Sequence, residues 1–264
     1  MQIQPLSSTL GVEISGINLC RDLGNGHISR IISLLYKHAV VCVRDQQINA
    51  VELERFGSRL GMPVQHNEEN LRLEGLATVM SLSNADDRDD RQLNGGAHWH
   101  TDLIHTQEPA SFTMLHAVAV PATGGGTLFA NQVAAYNDLS AEMKDKIREL
   151  IVIHCYEGRT DGSMPAINHP LLREHPATGI KTLYGAADTG IGIVGMAKDE
   201  AMKLYQALGE HATRDEFVYR HSYELNDVVI WDNAQLLHSA ERLQRATSAR
   251  EQRIMHRVSV RGWP

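Results

Sequence analysis

The chain has too few cysteines for a disulfide frame. Its three, Cys20, Cys42 and Cys155, are odd in number and far apart, which points to reduced thiols. It has no dense tract of Lys or Arg, and its formal net charge is −7, so nothing suggests a nucleic-acid partner. No apolar run approaches membrane-spanning length, and no membrane association is expected. The opening Met1-Gln2-Ile3-Gln4-Pro5 lacks a basic segment followed by an apolar one, so a cytoplasmic protein is expected. Internal repeats and linker-like stretches are also missing. At 264 residues the chain is long for one domain but within the range of barrels and sandwiches, and a single domain over residues 1–264 is expected. With 42% hydrophobic residues it can bury a substantial core. A homo-oligomer is the expected assembly.

Apolar spacing predicts helices at His27–Lys37, Ala50–Leu60, Ala141–Leu150 and Lys198–Glu210, with Ser140 as an N-cap for the third. Strands are expected at Val12–Ile17, Ala39–Arg44, Ala77–Leu82, Ser111–Ala119, Ile151–Tyr156, Thr182–Gly185, Glu216–Tyr223, Val228–Trp231 and Ile254–Val260. Short strands broken by Gly, Pro and Asn turns suit an α+β, mainly β chain built as an antiparallel sandwich or barrel. The polar stretch Asn84 to Arg91 is a candidate for a mobile loop, either a plain solvated loop or a substrate lid.

Against that background stands Gly95-Gly96-Ala97-His98-Trp99-His100-Thr101-Asp102. If the run is a strand, His100 and Asp102 share one face, because side chains alternate with a period of two. One imidazole nitrogen and one carboxylate oxygen make two thirds of a facial triad, which holds Fe(II) and leaves the opposite side open. His238, after Trp231-Asp232-Asn233, is a candidate for the missing ligand. Among 14 histidines and 32 acidic residues such a triplet also arises by chance, so the pair alone is weak.

Other residues gather around it. Gly124-Gly125-Gly126-Thr127 is a glycine-rich turn leading into Leu128-Phe129. Arg253, Met255 and Arg257 fall on one strand face, and two arginines facing an interior need anions to meet them. Guanidinium is well shaped for a carboxylate or sulfonate. The plainer reading is an exposed edge-strand ladder of arginines.

Taken together, these motifs resemble the TauD/TfdA family of Fe(II)- and 2-oxoglutarate-dependent dioxygenases. The resemblance runs from Leu10-Gly11-Val12-Glu13-Ile14-Ser15-Gly16-Ile17 through Val40 to Gln46, Phe56-Gly57, Trp99-His100-Thr101-Asp102, the Gly-Gly-x-Thr turn, His169-Pro170 and Trp231-Asp232-Asn233 to Arg253–Arg257. It implies a double-stranded β-helix, or jelly roll, with flanking helices. It implies that His100, Asp102 and His238 ligate iron, that Thr127 and Arg253 grip the distal carboxylate of 2-oxoglutarate, and that Arg257 meets the primary substrate. O2 is the second cosubstrate, and succinate and CO2 are released as a small, anionic substrate is oxidised, most simply by hydroxylation.

Departures from the taurine enzyme count against taurine itself. The histidine expected before Pro63 is Met62, a nearby tyrosine is matched by Gln65, and a substrate-contacting asparagine is matched by Gly96, with Asn94 close by. Substrate contacts are therefore expected from Met62 to His66, from Asn94 in the loop before Trp99, and from Tyr184 to Asp188. Asp102 argues against the iron halogenases, which lose that carboxylate. One alternative keeps the iron site for desaturation, cyclisation or another oxidation in natural-product biosynthesis. A more distant one is a non-enzymatic, cupin-like metal-binding protein using His98 and His100. The glutamate such a protein needs is missing, since those positions are Ile104 and His105.

Overall fold

In the computed structural model, the described residues are all except 67, 86, 87, 157–161, 163, 164, 187 and 188, and the side chain of residue 91 is also left aside. Among the described residues the chain is mainly β, with helices on the outside. A nine-stranded sheet runs in the order Gln2–Pro5, Val12–Ser15, Val40–Val43, Val228–Asp232, Phe112–Ala119, Ile254–Arg261, Leu76–Ser83, Arg72–Leu73, and Met62–Pro63 adds to Ile254–Arg261. Its pairings are antiparallel except for Val12–Ser15 with Val40–Val43. A smaller sheet places Thr127–Asn131 between Val218–His221 and Leu236–Ala240.

Side-chain alternation sends each face of the large sheet to a different partner. Val228, Ile230, Val258 and Val260 join a core with Ile31 and Leu35 of the helix Asn25–His38 and Leu53 and Phe56 of the helix Ala50–Gly57. Val229, Trp231, Leu115 and Met255 point the other way, onto Phe129, Leu236 and Tyr223 of the small-sheet side. Both faces are buried, so Val228–Asp232 is hydrophobic throughout rather than alternating, apart from its last residue. The helix Lys198–Ala212 and a sheet of Ile167–Pro170, Ile151–His154 and Gly190–Ile193 form a third apolar cluster. Among the described residues, no helix is long and apolar enough to cross a membrane.

Helix starts follow their caps. Asn49 and Glu52 form a reciprocal capping box, and Ser140 accepts from the Met143 N–H. Two helices end earlier than apolar spacing suggests, at Gly57 and Ile147. The strand expected from Glu216 is preceded by a 3-10 turn over Asp215–Phe217 and runs only from Val218 to His221. The helix Gln132–Asp138 and the strands Thr127–Asn131 and Leu236–Ala240 were not expected. Asp90–Asn94, partly inside the expected loop, is a short helix capped by Asp89, while residues 86 and 87 lie outside the described set.

Candidate active site

The His-x-Asp pair does not sit on a regular strand. His100 makes a single antiparallel bridge to His238, with both backbone N–H···O distances 2.9 Å. The chain then turns, with Leu103 at φ 59°. The shared-face geometry expected for His100 and Asp102 is therefore corrected: the bridge sets one residue and the turn sets the other. The strand Leu236–Ala240 brings His238 in from the small sheet.

The three side chains nevertheless converge, with one donor atom from each within 4.8 Å of the others. Asp102 Oδ1 lies 3.6 Å from His100 Nε2 and 3.5 Å from His238 Nε2. His100 Nδ1 is 2.8 Å from the His98 carbonyl, which only accepts, so Nδ1 carries a proton and Nε2 is the nitrogen turned toward Asp102. Burial lowers the His238 pKa to about 4, keeping its ring neutral. Burial opposes charge on Asp102, yet the Arg257 guanidinium and the two histidines hold it well below the usual carboxylate range. Asp102 Oδ2 is buried without a hydrogen-bond partner among the described residues. Two imidazoles, that of His238 held neutral, and an ionised carboxylate with an orphaned oxygen fit a divalent cation of the Fe(II) type, a charge that would compensate them.

The surrounding residues fix this arrangement. Asn233 Oδ1 accepts the Asp102 N–H at 3.3 Å and Trp231 Nε1–H at 3.2 Å, while Asn233 Nδ2 donates to Thr113. Asp232 is turned away into a buried cluster with His175 Nε2 at 2.9 Å and Gln235. The Trp-Asp-Asn motif therefore braces the site rather than supplying ligands.

A cavity of about 100 Å³ adjoins the three residues, enough for a small organic molecule in place of several waters. Arg253 and Thr127 line its inner end and Arg257 lies beside the triad. Arg253 is 5% exposed; its Nε–H donates to the Gly125 carbonyl at 2.7 Å, and its Nη groups have no hydrogen-bond partner among the described residues. That leaves a free fork suited to a carboxylate. Gly125 has φ 74°, and a Cβ there would come within 2.9 Å of Pro121 and 3.0 Å of Arg253 Cδ, so the turn needs glycine for both shape and space. Arg257 Nη2 donates to Asp102 Oδ1 at 2.6 Å, while its Nε is buried and unpaired among the described residues.

The expected substrate contacts are placed less favourably. Met62 is 64% exposed and does not line the cavity. Asn94 is spent on structure: its Nδ2 donates to Asp90 and the Leu243 carbonyl, and its Oδ1 accepts the Leu243 N–H. His66 is buried, with Nε2 unpaired among the described residues and its pKa lowered to about 3 by burial and by Arg257. It lies near the charged groups but outside the cavity wall. Tyr184 is buried beneath Arg173, and residues 187 and 188 are outside the described set.

Leu93 and Leu243, which do line the cavity, and Glu241, which accepts the Gly126 N–H at 3.0 Å and pairs with Arg220, were missed. A second cluster, Cys42, His221 and Asp227, also meets the distance test for a metal. There Asp227 Oδ2 already accepts from Arg44 at 2.6 Å and from the Glu224 N–H, and burial pushes the Cys42 thiol up, so it reads as an ion-pair hub.

A family model described as "Taurine catabolism dioxygenase TauD, TfdA family" matches residues 2–259. The chain belongs to this family. TauD/TfdA enzymes are 2-oxoglutarate-dependent dioxygenases that use Fe(II), 2-oxoglutarate and O2, and the protein is such an oxidoreductase. It is 29% identical to the alpha-ketoglutarate-dependent 2,4-dichlorophenoxyacetate dioxygenase of Cupriavidus pinatubonensis, over 90% of this chain and 91% of that one. It is 27% identical to the alpha-ketoglutarate-dependent sulfate ester dioxygenase of Pseudomonas putida, over 99% and 90% respectively. The crystal structure of AAD-2 with Mn(II) and N-oxalylglycine superposes with a TM-score of 0.86 at 30% identity, covering 99% of this chain and 98% of that one.

Proposed function

We propose that residues 1–264 form one double-stranded β-helix domain that oxidises a small organic anion at iron held by His100, Asp102 and His238. The observation that carries this reading is the convergence of two imidazole Nε2 atoms on Asp102 Oδ1, with Oδ2 orphaned among the described residues. Bound iron would supply O2 activation coupled to oxidative decarboxylation of 2-oxoglutarate. The protein's own part is orientation. Arg253 and Thr127 hold the distal carboxylate of 2-oxoglutarate at the inner end of the cavity and direct its 2-oxo acid end toward the triad.

Arg257 supports an anionic substrate. Among the described residues only one of its Nη groups is used, on Asp102, and its buried Nε lacks an acceptor, a costly arrangement unless a ligand supplies one. Leu82, Leu93 and Leu243 give the wall an apolar stretch for the rest of the molecule. An aryloxy acid or alkyl sulfate fits this combination, in keeping with the relatives named for a dichlorophenoxyacetate and a sulfate ester. The test is a screen of matched anionic and neutral substrates for stimulated succinate release, with products identified by mass spectrometry. Equal rates for an anion and its neutral analogue would overturn the anionic assignment.

A further inference from the structure

Tyr223 touches both residues assigned to the far end of 2-oxoglutarate. It is 7% exposed, with its hydroxyl 3.0 Å from Thr127 Oγ1. The Arg253 guanidinium carbon stands 5.6 Å from the centre of its ring. Tyr223 does not line the cavity, so it acts on the ligand through these two neighbours.

Hydrogen-bond chemistry orders the three groups. A carboxylate only accepts, so Thr127 must give its single proton to the ligand. The Thr127 oxygen then has only lone pairs left for Tyr223, which must be the donor. Burial raises the phenol pKa to about 12, so the proton needed for this is present throughout the working pH range. A donor chain from Tyr223 through Thr127 to the carboxylate strengthens each of its bonds by polarisation. The ring also presents its electron-rich face toward Arg253, whose charge is otherwise disfavoured by burial.

We infer that Tyr223 is a positioning residue for 2-oxoglutarate, setting the Thr127 proton toward the distal carboxylate and steadying Arg253. This rests on the reading of Thr127 and Arg253 given above.

Tyr223→Phe keeps the ring and removes the donor. Calorimetry on the Fe(II)-loaded protein without O2 would compare 2-oxoglutarate with 2-oxopentanoate, which has the same chain length and no distal carboxylate. The variant should bind 2-oxoglutarate about three- to tenfold more weakly, the scale of one hydrogen bond, and 2-oxopentanoate as before. The KM for 2-oxoglutarate should rise in step while kcat at saturation moves little. In a Thr127→Val background the same substitution should have almost no further effect.

Equal losses for both acids, or an undiminished loss in the Thr127→Val background, would reduce Tyr223 to a packing residue. Arg253→Leu separates this inference from its basis. If that variant weakens both acids equally, the carboxylate assignment itself fails. If it discriminates between them while Tyr223→Phe binds 2-oxoglutarate normally, only the Tyr223 inference fails.

Discussion

The two ends of the cavity are held together in different ways. At the inner end the polar groups are tied to protein before any ligand arrives: Arg253 to Gly125, Thr127 to Tyr223, and the Gly126 N–H to Glu241. Asn84 adds to this by accepting the Arg253 N–H and donating to the carbonyls of Gln244 and Glu251. At the triad, Asp102 Oδ2 and His238 Nδ1 are buried without partners among the described residues. The inner end is preorganised, so damage there should be graded. The triad's donors have value only as a set, so damage there should be close to all-or-none.

The sharpest way to break that contrast is His100→Ala, which removes one ligand of three and should abolish iron-dependent turnover and most metal affinity. Substantial turnover in that variant would disprove the ligand set. Arg253→Leu should be severe but graded, costing about 2–5 kcal/mol of 2-oxoglutarate binding, read as a steep rise in its KM. If only the substrate's KM rose, the roles of Arg253 and Arg257 would be exchanged. Asn84→Ala should lower stability by about 1–3 kcal/mol in denaturant melts, since it strands buried backbone groups around Arg253.

Acid should act through buried histidines. His66 and His154 are held down to about 3, in each case chiefly by burial. Their folded pKa values lie below the unfolded value of about 6.5, so the unfolded state binds protons first as pH falls. Stability contributed by their neutral forms is complete above about pH 6.5 and should fall by about 1.4 kcal/mol per pH unit for each histidine well below that value. Denaturant titrations at stepped pH would reveal a flat profile if these rings were not held neutral. The smallest effect is expected from Met62→Ala, within about 0.5 kcal/mol for stability and with an unchanged KM for substrate, because that side chain is exposed.

How much was legible in the sequence follows from how local each feature is. Helix caps at Asn49 and Ser140, and the hydrophobic strand at Val228, depend on neighbours in the chain and could be read directly. The triad is legible in its motifs, although two residues on one strand, the geometry their spacing suggests, give way to a bridge and a turn. The strands Thr127–Asn131 and Leu236–Ala240 are short, and in the sequence their residues look like a turn exit and an isolated ligand. Nothing local announces what Asn84, Tyr223 and Glu241 do, and Asn233 is visible only as part of the Trp231-Asp232-Asn233 motif. Each works by meeting a group 96 to 169 positions away, and only the folded chain brings those groups together.

That distance also sets the order in which the working enzyme can be assembled. The Arg257–Asp102 pair joins positions 155 apart, and His238 reaches His100 only once Leu236–Ala240 has taken its place beside Thr127–Asn131. Contacts of such long range form late, after the loops between them have closed. A partly folded chain therefore offers the local His100–Asp102 pair without its third donor, His238. The full ligand set would then exist only once that last strand has docked, so tight iron binding would report a completed fold.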